Sequence, residues 1–311
     1  MQDARSLRIV FFGTPDFAAN TLEKLIREGA NIVAVVTVPD RPAGRGLHLQ
    51  KSAVKEVAES AGLKILQPEK LKNPGFIAEL ETLNIDLGIV VAFRMLPVLI
   101  WKMPRLGTFN LHASLLPKYR GAAPINRALI NGDKETGITT FFLQHEIDTG
   151  KILFQESVPV AEDENAGTLY DRLRLKGADL VWKTVKAISS GDYQEQDQNE
   201  ALVSHAPKIF RETCELRFAQ PARDLHNLIR GLSPHPAAWC LREGKNFKIL
   251  KSRLTDRNCS SYQPGTFMQI APGVLAVAAS DFWLEILELQ PEGKRKMLAG
   301  EFLAGHKIDT L

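Results

Sequence analysis

Apolar and polar positions divide the chain into two parts with different rhythms. Residues 7–12 form an unbroken apolar run that stops at Gly13, and residues 16–28 then place Phe17, Leu22, Leu25 and Ile26 at helical spacing. The pattern repeats. A strand over 31–37 precedes a helix over 52–61, a short strand over 64–66 precedes a helix over 74–83, and 87–91 is again continuously apolar. A strand covered on both faces needs apolar side chains on both, so unbroken runs predict parallel strands buried between layers of helices. The first part is therefore expected to be a doubly wound, Rossmann-like α/β sheet, in which ligands bind beyond the carboxyl ends of the strands.

From residue 189 the pattern dissolves into SSGDYQEQDQNEALVS, polar and without sustained period, which reads as a linker. Beyond it, a helix-like piece over 221–230 is followed by short β-prone runs at 247–250, 265–270, 274–278 and 283–289, divided by Gly and Pro. Such punctuation suggests a small β-barrel. The predicted division is a first domain at 1–189, a linker at 190–204 and a barrel domain at 205–311.

A length of 311 residues agrees with two separate cores, and 44% hydrophobic with 24% charged residues is ordinary globular composition. No apolar run approaches the roughly 18–20 residues that cross a bilayer. The first residues lack the basic start and long apolar stretch of a secretory signal, so a cytoplasmic protein is expected. Cys214, Cys240 and Cys259 are odd in number and lack zinc-ligand spacing, which points to neither a disulfide framework nor a metal site. The net charge of +3 is unevenly placed: residues 205–311 hold 15 Lys+Arg against 11 Asp+Glu, the rest 24 against 25. That imbalance points weakly to a polyanionic partner at the C-terminal end.

Candidate chemistry gathers in GTFNLHASLLPKYRGAAPI, residues 107–125. A strand over 108–111 would send Asn110 and His112 to one face near its end. An amide N–H stabilises the oxyanion that forms when an amine attacks an acyl carbon, and an imidazole takes the proton the amine must lose. The loop that follows exposes apolar Leu115 and Leu116 between Ser114 and Pro117, a floor suited to a flat heterocycle. A carboxylate to orient the histidine is supplied by LQHEIDTGK at 143–151, where Asp148, followed by Thr-Gly, sits more naturally in a tight turn than Glu146. PDRPAGRGLHLQK at 39–51 is a basic, flexible loop whose Arg41 and Arg45 suit phosphate or nucleic-acid backbone contacts. The glycine after the first strand belongs to neither a GxGxxG fingerprint nor a P-loop.

These segments, with FFGTPDFA at the start, GTLYDRL at 167–173 and LSPHPAAW at 232–239, resemble the folate-dependent formyltransferases over nearly the whole chain. Asn-x-His followed by SLLPKYRGAAPI carries the resemblance to the family, and PDRPAGRG narrows it to the members that formylate methionyl-tRNA. The resemblance implies that Asn110, His112 and Asp148 form the catalytic set and that Ser114, Leu115, Leu116 and Pro117 contact the folate. It further implies 10-formyltetrahydrofolate as formyl donor, methionyl initiator tRNA as acceptor, Arg41 and Arg45 at the tRNA acceptor end, an OB-like C-terminal barrel on the tRNA body, and no metal. One departure is AFRMLP at 92–97, where the family shows an Ala-aromatic-Gly run; Arg94 replaces the glycine, and altered packing near Phe93 and Met95 with the same chemistry is expected. The alternatives are formyl transfer to an amino sugar nucleotide or a purine precursor, hydrolysis of the formylfolate, and a non-catalytic tRNA-binding protein.

Overall fold

The computed structural model describes residues 3–43 and 48–310. Two compact units emerge: the described residues of 1–121, 137–158 and 171–205 form the first, and 122–136, 159–170 and 206–310 the second. No helix among the described residues is long and apolar enough to cross a membrane.

In the first unit the chain runs β1 (Ile9–Gly13), α1 (Asp16–Arg27), β2 (Ile32–Val36), the ribbon strands β3 (Arg41–Ala43) and β4 (His48–Gln50), α2 (Ala53–Ser60), β5 (Ile65–Leu66), α3 (Pro74–Thr82), β6 (Leu87–Val91), α4 (Val98–Trp101), β7 (Thr108–His112) and β8 (Arg120–Gly121). After α5 (Pro124–Ile130) come β9 (Glu135–Phe142), β10 (Ile152–Pro159) and the long helix α6 (Ala166–Ser190). The main sheet has the order β10-β9-β7-β6-β1-β2-β5. Neighbours from β5 to β7 are parallel and β9 is antiparallel to β7. From the central β1 the chain winds first toward β2 and β5, then returns to β6 and β7, so the direction of winding reverses between β1 and β6. Every residue of β1 and β6 is buried, as unbroken apolar runs require of a sheet covered on both faces.

Local chemistry fixes the helices that flank this sheet. Helix α1 starts with Asp16 and ends with Lys24 and Arg27, charges that suit the two ends of its dipole, while Phe17, Ala18, Leu22 and Leu25 are buried. Truncating Leu22 to Ala should cost about 2–5 kcal/mol, the usual penalty for a buried leucine. Helix α2 begins at Ser52, whose hydroxyl accepts the Lys55 N–H at 3.1 Å. At Gly13 a Cβ would lie 2.6 Å from that of Ala18, so only glycine lets β1 turn this closely into α1.

The second unit contains β11's Ala206 (β11, His205–Ala206), α7 (Ala222–Leu232), β12 (Ala238–Arg242), β13 (Lys245–Asn258), β14 (Phe267–Ala271), β15 (Val274–Ala278), β16 (Phe282–Pro291), β17 (Met297–Leu298) and α8 (Ala299–Gly305). The strands form an antiparallel sheet of order β12-β13-β16-β15-β14, with β17 beside β16. No β12–β14 ladder closes the barrel among the described residues. Leu225, Ile229 and Leu232 of α7 and Phe302 of α8 instead cover Phe247, Ile249, Val277, Leu284 and Ile286. The unit also draws in α5, through an Asn126 side-chain N–H donated to the Gly231 carbonyl at 2.7 Å. Arg230 binds the Glu164 carbonyl at 3.2 Å and so holds the segment 159–170.

Candidate active site

Strand β7 ends the parallel run beside β6, and its pleat sets the first two candidate residues. Asn110 and His112 are two apart and share a face. His112 is 6% exposed. Its Nε2 lies 2.9 Å from the Tyr119 carbonyl oxygen, and its Nδ1 lies 3.7 Å from Asp148 Oδ2. A carbonyl oxygen only accepts, so Nε2 carries a hydrogen and Nδ1 is the nitrogen left to take a proton. An imidazolium formed here would have an oxygen acceptor facing each nitrogen. Phe141 packs edge-on against the ring at 6.5 Å between centroids.

Asp148 stands in a turn between β9 and β10, with φ of +57°. Aspartate tolerates that left-handed conformation better than most residues. Its Oδ2 also accepts the Gly121 N–H at 2.8 Å, which helps fix the carboxylate. Gly150 is indispensable to the turn, because a Cβ there would sit 1.6 Å from the Phe142 carbonyl oxygen. Asp148, chosen over Glu146 from its turn context, is the carboxylate that reaches His112; Glu146 and His145 are exposed.

The loop after β7 differs from expectation in one respect. Leu116, read as part of an exposed floor, is 3% exposed and packs against Phe141 and Ile152. Ser114 is also fully buried, its hydroxyl bonded to the Lys118 carbonyl at 2.6 Å. Pro117 is buried and Leu115 is half-buried against Gly137. Apolar loop residues signal contact, but the sequence does not say whether β9 and β10 or a ligand provides it. Thr139 and Gln155 tie the Leu116 backbone down, at 3.2 and 2.8 Å.

The basic loop, expected to be flexible, begins and ends as a two-stranded antiparallel ribbon, with Arg41 opposite Gln50 and Pro42 opposite Leu49. Arg45 lies outside the described residues. Arg41 is exposed. Nearby acids are already engaged: Lys55 binds Asp40 at 2.6 Å and Lys51 binds Glu59 at 2.7 Å. The Lys55 ammonium and the Gln67 amide hold Asp40 below its usual carboxylate range. Arg94, the departure from the family pattern, bonds the Glu69 carbonyl at 2.8 Å and the Pro68 carbonyl, and lies over Phe93. Burial and the charge of Arg41 push its guanidinium below its ordinary value. Phe93, just after β6, meets the buried Phe12 of β1 at 5.9 Å, while Met95 is 70% exposed.

Three neighbours of the site carried no sequence signal. Tyr119 presents its backbone carbonyl to His112, from an unusual φ of +62°. Gln198 and Ser204 belong to the polar segment read as a linker, yet Gln198 donates to the Asp148 and Gly150 carbonyls, both at 2.8 Å, and Ser204 Oγ accepts the Tyr119 N–H at 2.9 Å.

Comparison with known proteins gives a consistent picture. The family described as Formyl transferase matches residues 7–185, and the one described as Formyl transferase, C-terminal domain, matches 208–307. The methionyl-tRNA formyltransferase of Parabacteroides distasonis is 49% identical over 97% of this chain and 96% of its own length. That of Phocaeicola vulgatus is 50% identical over 98% of this chain and 97% of its own. Among solved structures, the N-formyltransferase of Helicobacter canadensis, in complex with folinic acid and dTDP-3-aminofucose, superposes with a TM-score of 0.68 at 21% identity, covering 94% of this chain and 100% of that one. HypX of Aquifex aeolicus, in complex with tetrahydrofolic acid, gives 0.66 at 16% identity, covering 98% of this chain and 49% of its own. At those identities the two structures speak for the fold alone.

Proposed function

The chain belongs to the formyltransferase family, and we propose that it transfers the formyl group of 10-formyltetrahydrofolate to the amino group of methionyl initiator tRNA. The observation that carries this reading is the nearly end-to-end identity, 49% over 97% of the chain, with relatives named methionyl-tRNA formyltransferase. Amino sugar nucleotides as acceptors have only the support of distant fold neighbours.

The chemistry follows from the groups on β7 and the turn. Asn110 donates its side-chain N–H to the oxygen of the formyl group as negative charge develops there. His112 takes, at Nδ1, the proton that the attacking amine sheds, directly or through one water; the tetrahedral adduct then collapses, the bond from the formyl carbon to the folate nitrogen breaks, that nitrogen takes the proton, and tetrahydrofolate leaves. Asp148 and the Tyr119 carbonyl then hold the imidazolium from its two sides, at the distances found between 2.9 and 3.7 Å. The folate lies along the loop of Ser114, Leu115, Leu116 and Pro117. With Ser114 and Leu116 buried, that loop acts chiefly by its shape and backbone. Apolar contact for a flat ring is offered by Met95, exposed after the end of β6.

Arg41, with the charge of Arg94 behind it, meets the phosphates of the tRNA acceptor end, and Arg45 serves the same strand. The domain at 205–311, with its excess of Lys and Arg, holds the tRNA body. Such an enzyme works in the cytoplasm, where translation begins.

The test is transfer of label from 10-formyltetrahydrofolate, with methionyl initiator tRNA, an amino sugar nucleotide or no acceptor, and with His112→Ala alongside. Label on the tRNA, lost in the variant, is the expected result. Label on the sugar, or formate alone, would overturn the tRNA assignment.

A further inference from the structure

Both acceptors that face His112 are held by the same stretch of chain. Asp148 sits in a turn whose residues 144–147 are exposed, so little side-chain packing fixes it. Gln198 fixes it instead, with its single amide nitrogen donating to the carbonyls of Asp148 and Gly150, both at 2.8 Å. The orientation of that amide is determined, because its Oε1 accepts from Arg120 Nε at 3.0 Å and Nη2 at 2.8 Å, and a guanidinium only donates. Arg120 is itself 8% exposed and paired with Glu200 at 2.7 Å.

Six residues further on, Ser204 secures the other side of the ring. Its hydroxyl accepts the Tyr119 N–H and its carbonyl accepts the Arg120 N–H, each at 2.9 Å. Tyr119, at φ of +62°, turns its own carbonyl to His112 Nε2. A bulky residue keeps that conformation only where its surroundings impose it. Gln196 adds a pair of backbone bonds to Ile152, at 2.8 and 2.9 Å, at the start of β10.

We propose that the polar segment 196–204 is a strap that positions the transfer site, and that Gln198 is its decisive positioning residue, holding the Asp148 turn against His112. The inference rests on the reading above that His112 and Asp148 serve the transfer. Gln198 touches neither substrate nor His112; it acts through the backbone of Asp148. Displacement of a catalytic group by about 1 Å can cost on the order of a hundredfold in rate. Loss of Gln198 removes two of the turn's tethers and leaves the Gly121 N–H and the glycine constraint, so a fall of roughly tenfold or more in kcat is expected.

The experiment measures kcat and both KM values for the wild type, Gln198→Ala, Gln198→Glu, Asp148→Asn and the double variant Asp148→Asn/Gln198→Ala, with thermal unfolding of each. Gln198→Ala should lower kcat while both KM values stay within about twofold, because the strap sets the position of the proton-handling groups and not the substrate surfaces. Gln198→Glu keeps the acceptor for Arg120 but turns a carboxylate oxygen, which cannot donate, toward the two carbonyls, so it should lose at least as much rate as the alanine variant. If the alanine variant unfolds, the glutamate variant decides. In the double variant, Gln198→Ala should add no further loss to Asp148→Asn. Wild-type turnover by folded Gln198→Glu, or losses that multiply in the double variant, would overturn the role of Gln198. Wild-type turnover by Asp148→Asn would instead remove the reading on which it rests.

Discussion

Among the described residues each unit buries one histidine almost completely, His112 at 6% exposure and His226 at 4%, and the charges around the two differ. His112 faces a backbone carbonyl at one nitrogen and a carboxylate at the other. His226, on α7, meets the Ser252 hydroxyl at Nδ1, 3.0 Å away, and its Nε2 lies 4.0 Å from the Asp163 carboxylate. Burial and then the Arg230 charge push His226 below its ordinary value, against weaker pulls from the Glu162 backbone and Asp163. Burial alone therefore says little about a histidine's work. What differs is the charge around each ring: a backbone carbonyl and the Asp148 carboxylate face His112, whereas burial and the Arg230 guanidinium act on His226.

The comparison is broken most forcefully at the first ring. His112→Ala should lose on the order of a hundredfold to ten-thousandfold in kcat, the usual contribution of a positioned acid or base. His226→Gln should turn over near the wild-type rate, and an equal loss from both would erase the distinction. Asn110→Ala comes next in size: removal of one oxyanion donor typically costs about a hundredfold in kcat, and here it should leave KM for both substrates close to normal. If the variant instead raised KM with kcat intact, Asn110 would be a binding group, and the pairing of amide and imidazole along β7 would lose its meaning.

How much of this was readable beforehand depends on whether the cause was local. The parallel strands were legible because β1 and β6 are buried on both faces and so are apolar throughout. Asn110 with His112 was legible because a two-residue pleat fixes their common face, and Asp148 because IDTG forms a turn that only certain residues enter. Tyr119 and Gln198 were not legible. One acts through a carbonyl that every residue possesses, the other through a contact across about fifty positions in a segment with no period of its own. Leu116 was misjudged because an apolar residue in a loop looks the same whether it awaits a ligand or fills the space beside Phe141 and Ile152. Helix α6 is legible in its period, since Leu169, Leu173, Leu180, Val181 and Ile188 are buried at helical intervals. In the second unit, the alternating runs located β13 to β16, whereas closure into a barrel depends on long-range pairing that no single strand encodes.

A smaller effect is expected at Arg41, exposed on β3. Arg41→Ala should raise KM for the tRNA severalfold, reduce the salt dependence of binding by about one phosphate's worth, and leave KM for the formyl donor unchanged. Equal loss for both substrates would place Arg41 in the folded frame and not at the nucleic acid.

The smallest effect sharpens the comparison from the other ring, because a histidine kept neutral by its surroundings must make the fold sensitive to acid. The folded-state value of His226 lies below its ordinary 6.5, so as pH falls through that ordinary value the unfolded chain binds a proton that the native chain refuses. Its contribution is fully present above the unfolded value and declines as pH drops toward the folded one, by no more than about 1.4 kcal/mol per pH unit for a single proton. The groups that face the ring are Ser252 on β13, Arg230 and Arg223 on α7, and Glu162 and Asp163 on the adjoining segment, and Arg230 is anchored by Asn227 and by the Ala161 and Glu164 carbonyls. His226→Gln keeps a polar side chain toward Ser252 and removes the titration. Chemical denaturation at about pH 7 and about pH 5 should therefore show a smaller loss of stability in the variant than in the wild type. An identical loss in both would mean that protonation of His226 is accommodated in the fold, with Asp163 moving the short distance to Nε2.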